Sequence, residues 1–517
     1  MNNRLLVFAM LLGAVFAGVT ARASDQGKQT RIVDKNNSLR HLVPDRWWEK
    51  AAAIKTVTLK PNRRFAHEIS VDPVVVSAQL DEIKAQGFQA IEIFAPAEGL
   101  YAYSGLDTKT HYRIDPELGT MDDFRRLVRI VHSKNMAVTA FINIGYFSAE
   151  APDWIEACKA KKAGIESEKV KWFLWADKAD TPPPPTQEDI YVTPEKRDRT
   201  KTWGWQYSEL AGSYFWARWK AQDKDGNDIP LPQNNWGTKE WREEAARIVR
   251  FWMDTGIDGM RIDAPLCYPF QTWEDNRKCI VEVISSYGNT LAQPEGGRDP
   301  AWMTEAGYNC IMDYGLSYRK NSFQTQKEDA ITTAMETGNP RVIEENLQDY
   351  HDVMALAGGV LWRSVSRDLE GNLAKEHLHR AVLAAIGDIL CYPRGGGNPD
   401  AEATWILQTK YVHPALHPVA TRRKLATNND DKYYAILKTA KDGSERIVAV
   451  FNFQSSPQTV RVDLSVVSTS GVVDLRSREL KKREDVFKPV AIELPAYGYG
   501  FYEVMPFKNG TLFPPGP

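Results

Sequence analysis

Short apolar runs of strand length alternate along most of the chain with longer segments whose apolar residues recur at helical spacing. The runs that we predict to be strands are 51–59, 90–94, 137–144, 258–263, 289–295, 310–314, 359–368 and 388–392. Among the helical segments, 120–135 begins with Thr120 in the N-cap position and Asp123 in the capping-box position. About eight strand–helix repeats predict an α/β fold, the closed (β/α)8 TIM barrel, rather than an open sheet.

This alternation stops in two parts of the chain. Between 147 and 235 it gives way to a stretch with four consecutive prolines and seven tryptophans. So long a loop without structure is uncommon, so we predict an inserted subdomain after the third strand. From 421 to 517 short strands follow one another, which predicts a C-terminal antiparallel β-sandwich domain. The barrel is then expected to occupy 24–420.

The first 23 residues have the pattern of a secretory signal peptide. Arg4 precedes an apolar run at 5–19, and Ala21-Arg22-Ala23 fits a small-x-small cleavage site. We therefore expect export to the periplasm or secretion. No later run approaches 18 apolar residues, so no membrane span is expected after cleavage. The formal net charge of -2 gives no reason to expect a nucleic acid partner.

The five cysteines do not form a recognisable framework. Their number is odd, no CxxC pair is present, and histidine is sparse with nine residues. A zinc site and a disulfide-rich domain are therefore not expected. We predict buried thiols, with one disulfide pair as the alternative.

The segment 256–264 places charge inside a predicted strand. Met260 and Ile262 share one face of this strand, whereas Arg261 and Asp263 share the other. Because a buried charge needs a partner, we expect Arg261 to pair with Asp263 and keep it ionised. An ionised carboxylate at the carboxyl end of a strand is a candidate nucleophile. A purely structural ion pair is the alternative.

Three acids lie at the ends of predicted strands: Asp263, Glu295 and Asp368. Active sites of barrels lie at the carboxyl ends of the strands. Two carboxyl groups, one a nucleophile and one an acid/base, are what retaining glycoside hydrolysis requires. Glu295 follows Pro294 with no cation nearby except Arg298, so it can act as the proton donor. Glu305 is a rival for that role, although it falls at the start of a predicted helix.

Four segments of the chain resemble glycoside hydrolase family 13, the α-amylase family, and most closely its oligosaccharide-acting α-glucosidase-like members. They are Trp-Trp-Glu-Lys at 47–50, Ile-Asp-Pro-Glu-Leu-Gly-Thr-Met-Asp-Asp-Phe at 114–124, the segment 256–264, and Tyr-Val-His-Pro-Ala-Leu at 411–416. The resemblance covers nearly all of 45–505. It implies a barrel, a subdomain after the third strand, a C-terminal β-domain and a retaining mechanism on α-glucosidic bonds.

The resemblance also implies roles for individual residues. Asp263 would be the nucleophile, Arg261 its partner, Glu295 the acid/base and Asp368 the third acid, which binds ring hydroxyls. Asp107 matches the Asp of the family's Tyr-Asp loop pair.

Several positions depart from the family pattern. The third-strand motif of the family ends in Asn-His and has an Asp four residues before the Asn, but Phe141, Gly145 and Tyr146 stand here. Arg367 stands in place of the His that precedes the third acid in the family, and Leu106 stands in place of the Tyr of the loop pair. We expect Tyr146 and Arg367 to bind substrate in place of the two histidines, and the sugar or the linkage to be altered.

The function that follows is a secreted retaining α-glycosidase acting on oligosaccharides or disaccharides. A transglycosylase or isomerase would use the same covalent intermediate with another acceptor. A carbohydrate-binding barrel that has lost turnover is the alternative from another class. Asn143 lacks the calcium ligands that accompany it in the family, so we expect no metal and no cofactor.

Overall fold

The computed structural model describes residues 40–59, 68–100, 105–186, 204–222, 227–295, 303, 305–312, 330–347, 360–364, 371–392, 398–485 and 488–505. The predicted signal peptide and the strand tip with Arg367 and Asp368 lie outside the described residues.

Eight parallel strands form the wall of a barrel. They are β1 (Ala53–Val57), β2 (Ala90–Phe94), β3 (Ala137–Ile142), β4 (Gly259–Ile262), β5 (Leu291–Pro294), β6 (Cys310–Met312), β7 (Val360–Ser364) and β8 (Ile389–Tyr392). Their order in the sheet is β5-β4-β3-β2-β1-β8-β7-β6. This is a cyclic order, with β5 and β6 as the two ends that meet. The predicted α/β barrel is confirmed.

One amide side chain joins the two ends of this order. Asn309 precedes β6, and its side chain accepts a hydrogen bond from Ala292 N at 2.8 Å and donates one to Thr290 O at 3.0 Å. Both groups belong to β5 or to the residue before it. The amide at the start of β6 therefore satisfies two backbone groups of the β5 segment across the seam.

Helices surround the strands on the outside. They are Pro73–Ala85, Met121–Ser133, Lys239–Met253, Trp273–Asn276, a π-helical turn at Arg277–Val281, Glu282–Ser285, Ala330–Thr337, Leu373–Ile386 and Ala401–Val412. Thr120 caps the second of these, and its capping box with Asp123 is confirmed. Successive side chains of each strand point to opposite faces of the barrel wall. Ile91 and Ile93 of β2, for example, pack in the outer core between the strands and the helices.

The inner faces of the strands are layered along the barrel axis. The bottom layer is apolar, and includes Ile54, Ala90, Ala137, Leu291, Cys310, Val360, Ile389 and Cys391. A second apolar cluster near the carboxyl ends contains Phe94, Phe141, Leu106 and Tyr146. Between these two layers lie the buried polar side chains of Thr56, Glu92 and Thr139, whereas the buried Arg261 and Gln293 are level with Phe141. The barrel interior is thus a filled core with a polar middle.

The insertion predicted after the third strand is present. It contains the helices Pro152–Lys162 and Glu168–Lys171 and a three-stranded sheet of Trp175–Ala176, Ser213–Ala217 and Gly204–Ser208. Several of its tryptophans pack in the same core as the barrel strands and helices. The rings of Trp154 and Trp175, for example, stack at a centroid distance of 5.2 Å. A hairpin of Lys220–Gln222 and Asp228–Pro230 follows.

The C-terminal part of the chain is entirely antiparallel. Its strands are Thr421–Leu425, Tyr433–Thr439, Arg446–Asn452, Gln458–Val462, Gly471–Asp474, Leu480–Lys482, Val490–Leu494 and Tyr499–Met505. Six of them form one sheet, whereas Gln458–Val462 and Val490–Leu494 form a second. Their facing apolar side chains make a separate core. The predicted C-terminal β-domain is confirmed.

All five cysteines lie in the described part of the chain, and their thiols are free. Four are buried, and Cys279 is partly exposed. The prediction of thiols is confirmed, and the alternative disulfide is not formed. Within the described residues, the helices are too short or too polar to span a membrane.

Candidate active site

Two acidic side chains stand side by side at the carboxyl ends of β4 and β5. Ile262 and Pro294 are register partners, so the residues that follow them, Asp263 and Glu295, are neighbours. Asp263 N donates to Ile142 O at 2.9 Å, and Glu295 N donates to Ile262 O at 2.7 Å, which extends both backbones one residue beyond the strands. The two carboxyl groups lie within hydrogen-bonding reach of each other. The structure therefore brings together two of the three predicted acids.

The start of β4 is fixed by a buried carboxylate. Asp258 Oδ2 accepts hydrogen bonds from Val138 N at 2.9 Å and from His132 Nε2 at 2.8 Å. Asp258 thereby links β4 to β3 and to the helix before β3. Its function is structural, and it fixes the register that places Asp263 at the barrel mouth.

Asp263 is buried, with 4% of its surface exposed. Burial raises the pKa of its carboxyl group well above the usual value, and the charge of Glu295 raises it further. The phenol of Tyr146 and the charge of Arg261 act in the opposite direction but do not outweigh burial. Burial and the neighbouring carboxyl group therefore both disfavour the charged form of Asp263.

Arg261 does not form the expected ion pair with Asp263. Among the described residues, its ion pairs are with Glu92, at 3.1 Å, and with Glu295, at 3.8 Å. The guanidinium carbon lies 3.9 Å from the centroid of the Phe141 ring, which covers one face of the group. The prediction that Arg261 keeps Asp263 ionised was wrong, because the inward face of the neighbouring β2 supplies a closer partner than the next inward residue of β4.

Glu92 is a functional candidate that the sequence reasoning missed. It is 1% exposed in the middle of β2, and Thr56 Oγ1 on β1 donates to its Oε1 at 3.2 Å. Burial raises the pKa of Glu92, whereas Arg261 and Thr56 lower it. The signal in the sequence was a single charged residue within the apolar run Ala-Ile-Glu-Ile-Phe.

Tyr146 contacts the candidate nucleophile directly. Its hydroxyl donates to Asp263 Oδ2 at 2.9 Å. Its ring packs against Trp219 of the insertion at a centroid distance of 5.0 Å. Burial and the charge of Asp263 raise the pKa of the phenol, so it remains a donor. Tyr146 thus lies at the site, as predicted for a substrate-binding residue, but its hydroxyl is directed at a carboxylate of the protein.

Gly145 makes room for a second tyrosine. A Cβ at this position would lie 1.8 Å from a ring carbon of Tyr268, a distance that no side chain tolerates. Tyr268 is fully buried, stacks on Trp236 at 6.0 Å, and donates its hydroxyl to the backbone carbonyl of Asp263. The sequence offered no local signal for this contact. The departure at Gly145 is therefore matched by an aromatic residue five positions after the candidate nucleophile.

Asp107 is a buried carboxylate in the strand Asp107–Thr110. Within the described part of the chain, neither of its oxygens accepts a hydrogen bond from another residue. Burial raises its pKa to about 8. Asn143 donates both to Leu106 O and to Tyr146 O at 2.8 Å, which holds this loop beside Tyr146. Buried polar atoms are normally satisfied, so the bare oxygens suit hydroxyl donors of a ligand.

The remaining predicted residues are Arg367, Asp368 and the rival acid Glu305. Arg367 and Asp368 lie outside the described residues. Glu305 is exposed in a helical turn, so the geometry favours Glu295 over this rival. In the described ranges, no three His, Cys, Asp or Glu side chains are grouped as metal ligands. The absence of a metal or cofactor stays a prediction.

Comparison with known families identifies the barrel. The model of the α-amylase catalytic domain matches residues 72–336, about half of the chain. The chain belongs to the α-amylase family. The matched region includes both Asp263 and Glu295 and the whole of the insertion.

Curated relatives of this α-amylase family member are distant. Probable oligo-1,6-glucosidase 3 of Bacillus subtilis is 28% identical over 218 residues, which are 42% of this chain and 35% of that protein. Alpha-glucosidase of Schizosaccharomyces pombe is 24% identical over 194 residues, which are 37% of this chain and 30% of that protein. The chain thus matches about a third of the length of these relatives.

Solved structures share the fold over nearly the entire chain. An α-amylase of Geobacillus thermoleovorans complexed with acarbose superposes with a TM-score of 0.63 at 16% identity, covering 89% of this chain and 99% of that one. A trehalulose synthase superposes with a TM-score of 0.65 at 14% identity, covering 89% and 100%. The barrel, the insertion and the C-terminal β-domain therefore form the architecture of the α-amylase family.

Proposed function

We propose that this protein is a retaining α-glycosidase that hydrolyses α-glucosidic bonds of oligosaccharides or disaccharides. The observation that carries the proposal is the contact between the carboxyl groups of Asp263 and Glu295 at adjacent strand ends. Retaining enzymes need two carboxyl groups only about 5 Å apart, whereas inverting enzymes leave room for a water between them. A pair in hydrogen-bonding reach fits the first arrangement.

The chemistry assigns one role to each acid. Glu295 protonates the glycosidic oxygen of the leaving group while an Asp263 oxygen attacks the anomeric carbon, which gives a glycosyl ester and a free alcohol. Glu295 then takes a proton from water, and that water displaces Asp263 from the sugar. The side chain of Glu295 is 22% exposed and that of Asp263 is buried, which suits a proton donor facing the leaving group and a nucleophile beneath the ring.

The substrate class rests on the relatives and on the bare carboxylate of Asp107. Oligo-1,6-glucosidase and α-glucosidase are the names of two matched relatives. We propose that Asp107 and Asp368 bind ring hydroxyls, and that Tyr146 and Arg367 replace the two histidines of the family. Tyr146 cannot offer the two ring nitrogens of a histidine, so the sugar or linkage is expected to differ from that of the family's typical members.

A trapping experiment tests the mechanism. Incubation with 2-deoxy-2-fluoro glycosyl fluorides, followed by mass spectrometry of peptides, is expected to give a label on Asp263. Glucose release from a panel of α-linked disaccharides then identifies the linkage, and a product with a new linkage instead of free glucose would indicate transglycosylation or isomerisation. The matched control is Glu244→Gln, because Glu244 is a buried acid paired with Arg247 on an outer helix, and this variant should still be labelled on Asp263.

A second candidate is a carbohydrate-binding barrel without turnover. It is favoured by one observation: Tyr146 occupies an oxygen of Asp263 and, with Trp219, helps to bury it. No label and no product from any sugar, together with equal sugar affinity of the wild type and Asp263→Asn by calorimetry, would support this candidate and refute the glycosidase.

We also propose export, from the signal-peptide pattern of residues 1–23. N-terminal sequencing of the protein from the periplasm and from the medium tests this. A mature chain beginning near Ser24 is expected, and a cytosolic chain that retains residues 1–23 would contradict it.

A further inference from the structure

Glu92 lies one layer below the two candidate catalytic acids. In the register of the sheet it is level with Thr139, whereas Phe141 is level with Arg261. Its carboxylate accepts from Arg261 Nη1 at 3.1 Å and from Thr56 Oγ1 at 3.2 Å. The other end of the guanidinium reaches Glu295, with Nη2 3.8 Å from Oε1. Arg261 therefore connects a buried acid in the barrel core to an acid at the barrel mouth.

The position of Arg261 is fixed from three sides. Phe141 covers one face of the guanidinium, Glu92 holds it from below, and Glu295 lies toward the mouth. Arg261 is only 6% exposed, so a guanidinium in this place needs its partners. Asp263 is the next inward residue after Arg261, and the charge of Arg261 already acts on its carboxyl group.

The carboxyl groups near Arg261 outnumber its single positive charge. Glu92, Asp263 and Glu295 are three carboxyl groups around one guanidinium within the described part of the barrel. If all three ionised, a buried space would hold two uncompensated negative charges, which is unfavourable. Among the described residues, the thiol of Cys310 on β6 also lies near Glu92, and burial raises the pKa of this thiol well above its usual value. Cys391 on β8 is buried and contacts Thr56 Oγ1.

We propose that Glu92 is a positioning residue of the active site, which holds the Arg261 guanidinium beside Glu295 and away from Asp263, so that the carboxyl pair keeps one proton for the leaving group. In its ionised form, which Arg261 and Thr56 favour against burial, Glu92 offsets the charge of Arg261. The proton for the leaving group then persists to higher pH than it does without the charge of Glu92. This inference rests on the glycosidase function proposed above.

The test is the variant Glu92→Gln, which keeps the shape of the side chain and an oxygen for Arg261 but removes the charge. In the pH profile of kcat/KM on an α-linked disaccharide, the basic limb of this variant is expected to lie about one pH unit below that of the wild type. Removing the charge of Glu92 changes the electrostatic potential at the carboxyl pair a few ångströms away in a partly buried site. The turnover number at the optimum should fall about tenfold with little change in KM. The loss should be smaller on an aryl α-glucoside with a good leaving group, because that group leaves without a proton.

Two further variants complete the experiment. Thr56→Val removes a hydrogen bond that favours the charged form of Glu92, and its basic limb should move in the same direction but less; it also serves if Glu92→Gln fails to fold. Glu244→Gln is the matched control, because Glu244 is a buried acid paired with Arg247 at 2.7 Å on an outer helix. Its pH profile should equal that of the wild type.

The possible outcomes separate the two proposals. An active wild type whose pH profile is unchanged by Glu92→Gln and Thr56→Val would overturn the inference about Glu92 and leave the glycosidase in place. A wild type without turnover on any sugar would overturn both. An equal loss on the disaccharide and on the aryl glucoside would show that Glu92 supports the fold of the barrel rather than the proton of the carboxyl pair.

Discussion

The hydroxyl of Tyr146 donates a hydrogen bond of 2.9 Å to Oδ2 of Asp263. The donor stands where the family resemblance places a histidine, and the acceptor is the candidate nucleophile. The neutral phenol of Tyr146 thus partly replaces the expected ion pair with Arg261 in favouring the charged form of Asp263. A hydrogen bond to a carboxylate favours its charged form.

Replacing Tyr146 by Phe is expected to raise the pKa of Asp263 further, since the bond that opposes burial is lost. The acid limb of kcat/KM should therefore move up by about one pH unit, given that hydrogen bonds to charged groups contribute roughly 1.5–3 kcal/mol. A pH–rate profile measures this shift.

Tyr308→Phe is the matched control for that variant. Tyr308 is also buried, and it donates to Asn276 Oδ1 at 2.9 Å among the outer helices. Its loss should lower the melting temperature without moving either limb. If Tyr146→Phe changes KM alone and leaves the acid limb in place, Tyr146 acts on the sugar and not on Asp263.

Gly145→Ala is expected to damage both stability and activity. The new Cβ would overlap the ring of Tyr268, which must move and release the carbonyl of Asp263. Overpacking of this kind costs about 1–3 kcal/mol or more. Thermal unfolding measures the loss, and a double-mutant cycle with Tyr268→Ala tests its cause. The strain should largely disappear in the double variant; additive losses would mean that the two residues do not clash.

Asp107→Asn is expected to change how stability depends on pH. Burial raises the pKa of Asp107 to about 8, so the folded protein holds a proton there that the unfolded chain has already lost above about pH 4. The wild type therefore loses stability as pH rises from about 4 to about 8, and Asp107→Asn should not suffer this part of the loss.

The measurement is the melting temperature of both proteins at pH 4 to 8. The difference in favour of Asp107→Asn should grow with pH, while turnover of the sugar substrate falls through a higher KM. Asp122→Asn, a change of an 84% exposed side chain, should follow the wild type throughout. A difference that is constant across this range would contradict the buried position of an ionisable Asp107.

Lys438→Met tests a buried ammonium between the barrel and the C-terminal domain. Lys438 Nζ donates to Ile386 O at 2.8 Å and Ala420 O at 3.0 Å. Burial lowers its pKa to about 7, so between about pH 7 and 10 the unfolded chain binds a proton that the folded protein does not. Stability of the wild type should rise with pH in this window, by at most about 1.4 kcal/mol per pH unit.

In Lys438→Met the rise should be shallower, because the contribution of Lys438 is lost while Lys410, whose pKa burial also lowers, remains. The variant should also be less stable because two carbonyl groups lose their donor. Chemical denaturation at pH 7, 8 and 9 gives the three free energies of unfolding for each protein. Lys482→Met, at an exposed strand position, is the control and should retain the wild-type slope. Parallel slopes for the wild type and Lys438→Met would show that Lys438 does not titrate in this range.

The architecture was predictable because it depends on periodicity. The alternation of apolar runs and helical segments gave all eight barrel strands, and the capping box at Thr120 marked the start of a helix, since such signals are local in the sequence. The insertion after the third strand and the C-terminal domain were visible as interruptions of that alternation. Strand ends differed by only a few residues, where the last pairs of the ladder depend on the neighbouring strand.

The site was predictable only as far as strand ends go. Asp263 and Glu295 could be brought together because parallel strands end at the same side of a barrel. The partner of Arg261 could not be predicted, because it depends on the register between β2, β3 and β4. Glu92 is 169 residues away from Arg261 in the sequence. The contact of Tyr268 with Asp263 arises from the path of a loop, which no periodicity describes.

The fit between Gly145 and Tyr268 also gives a way to find close relatives. An asparagine at 145, as in the family motif, would have a Cβ within the ring of Tyr268, so the two positions must change together. Chains that combine Gly-Tyr at the end of the third strand with a tyrosine five residues after the nucleophile motif should therefore form a subgroup. Such a two-part signature can be searched in sequences alone, and it would group proteins by a shared steric constraint before any substrate is known.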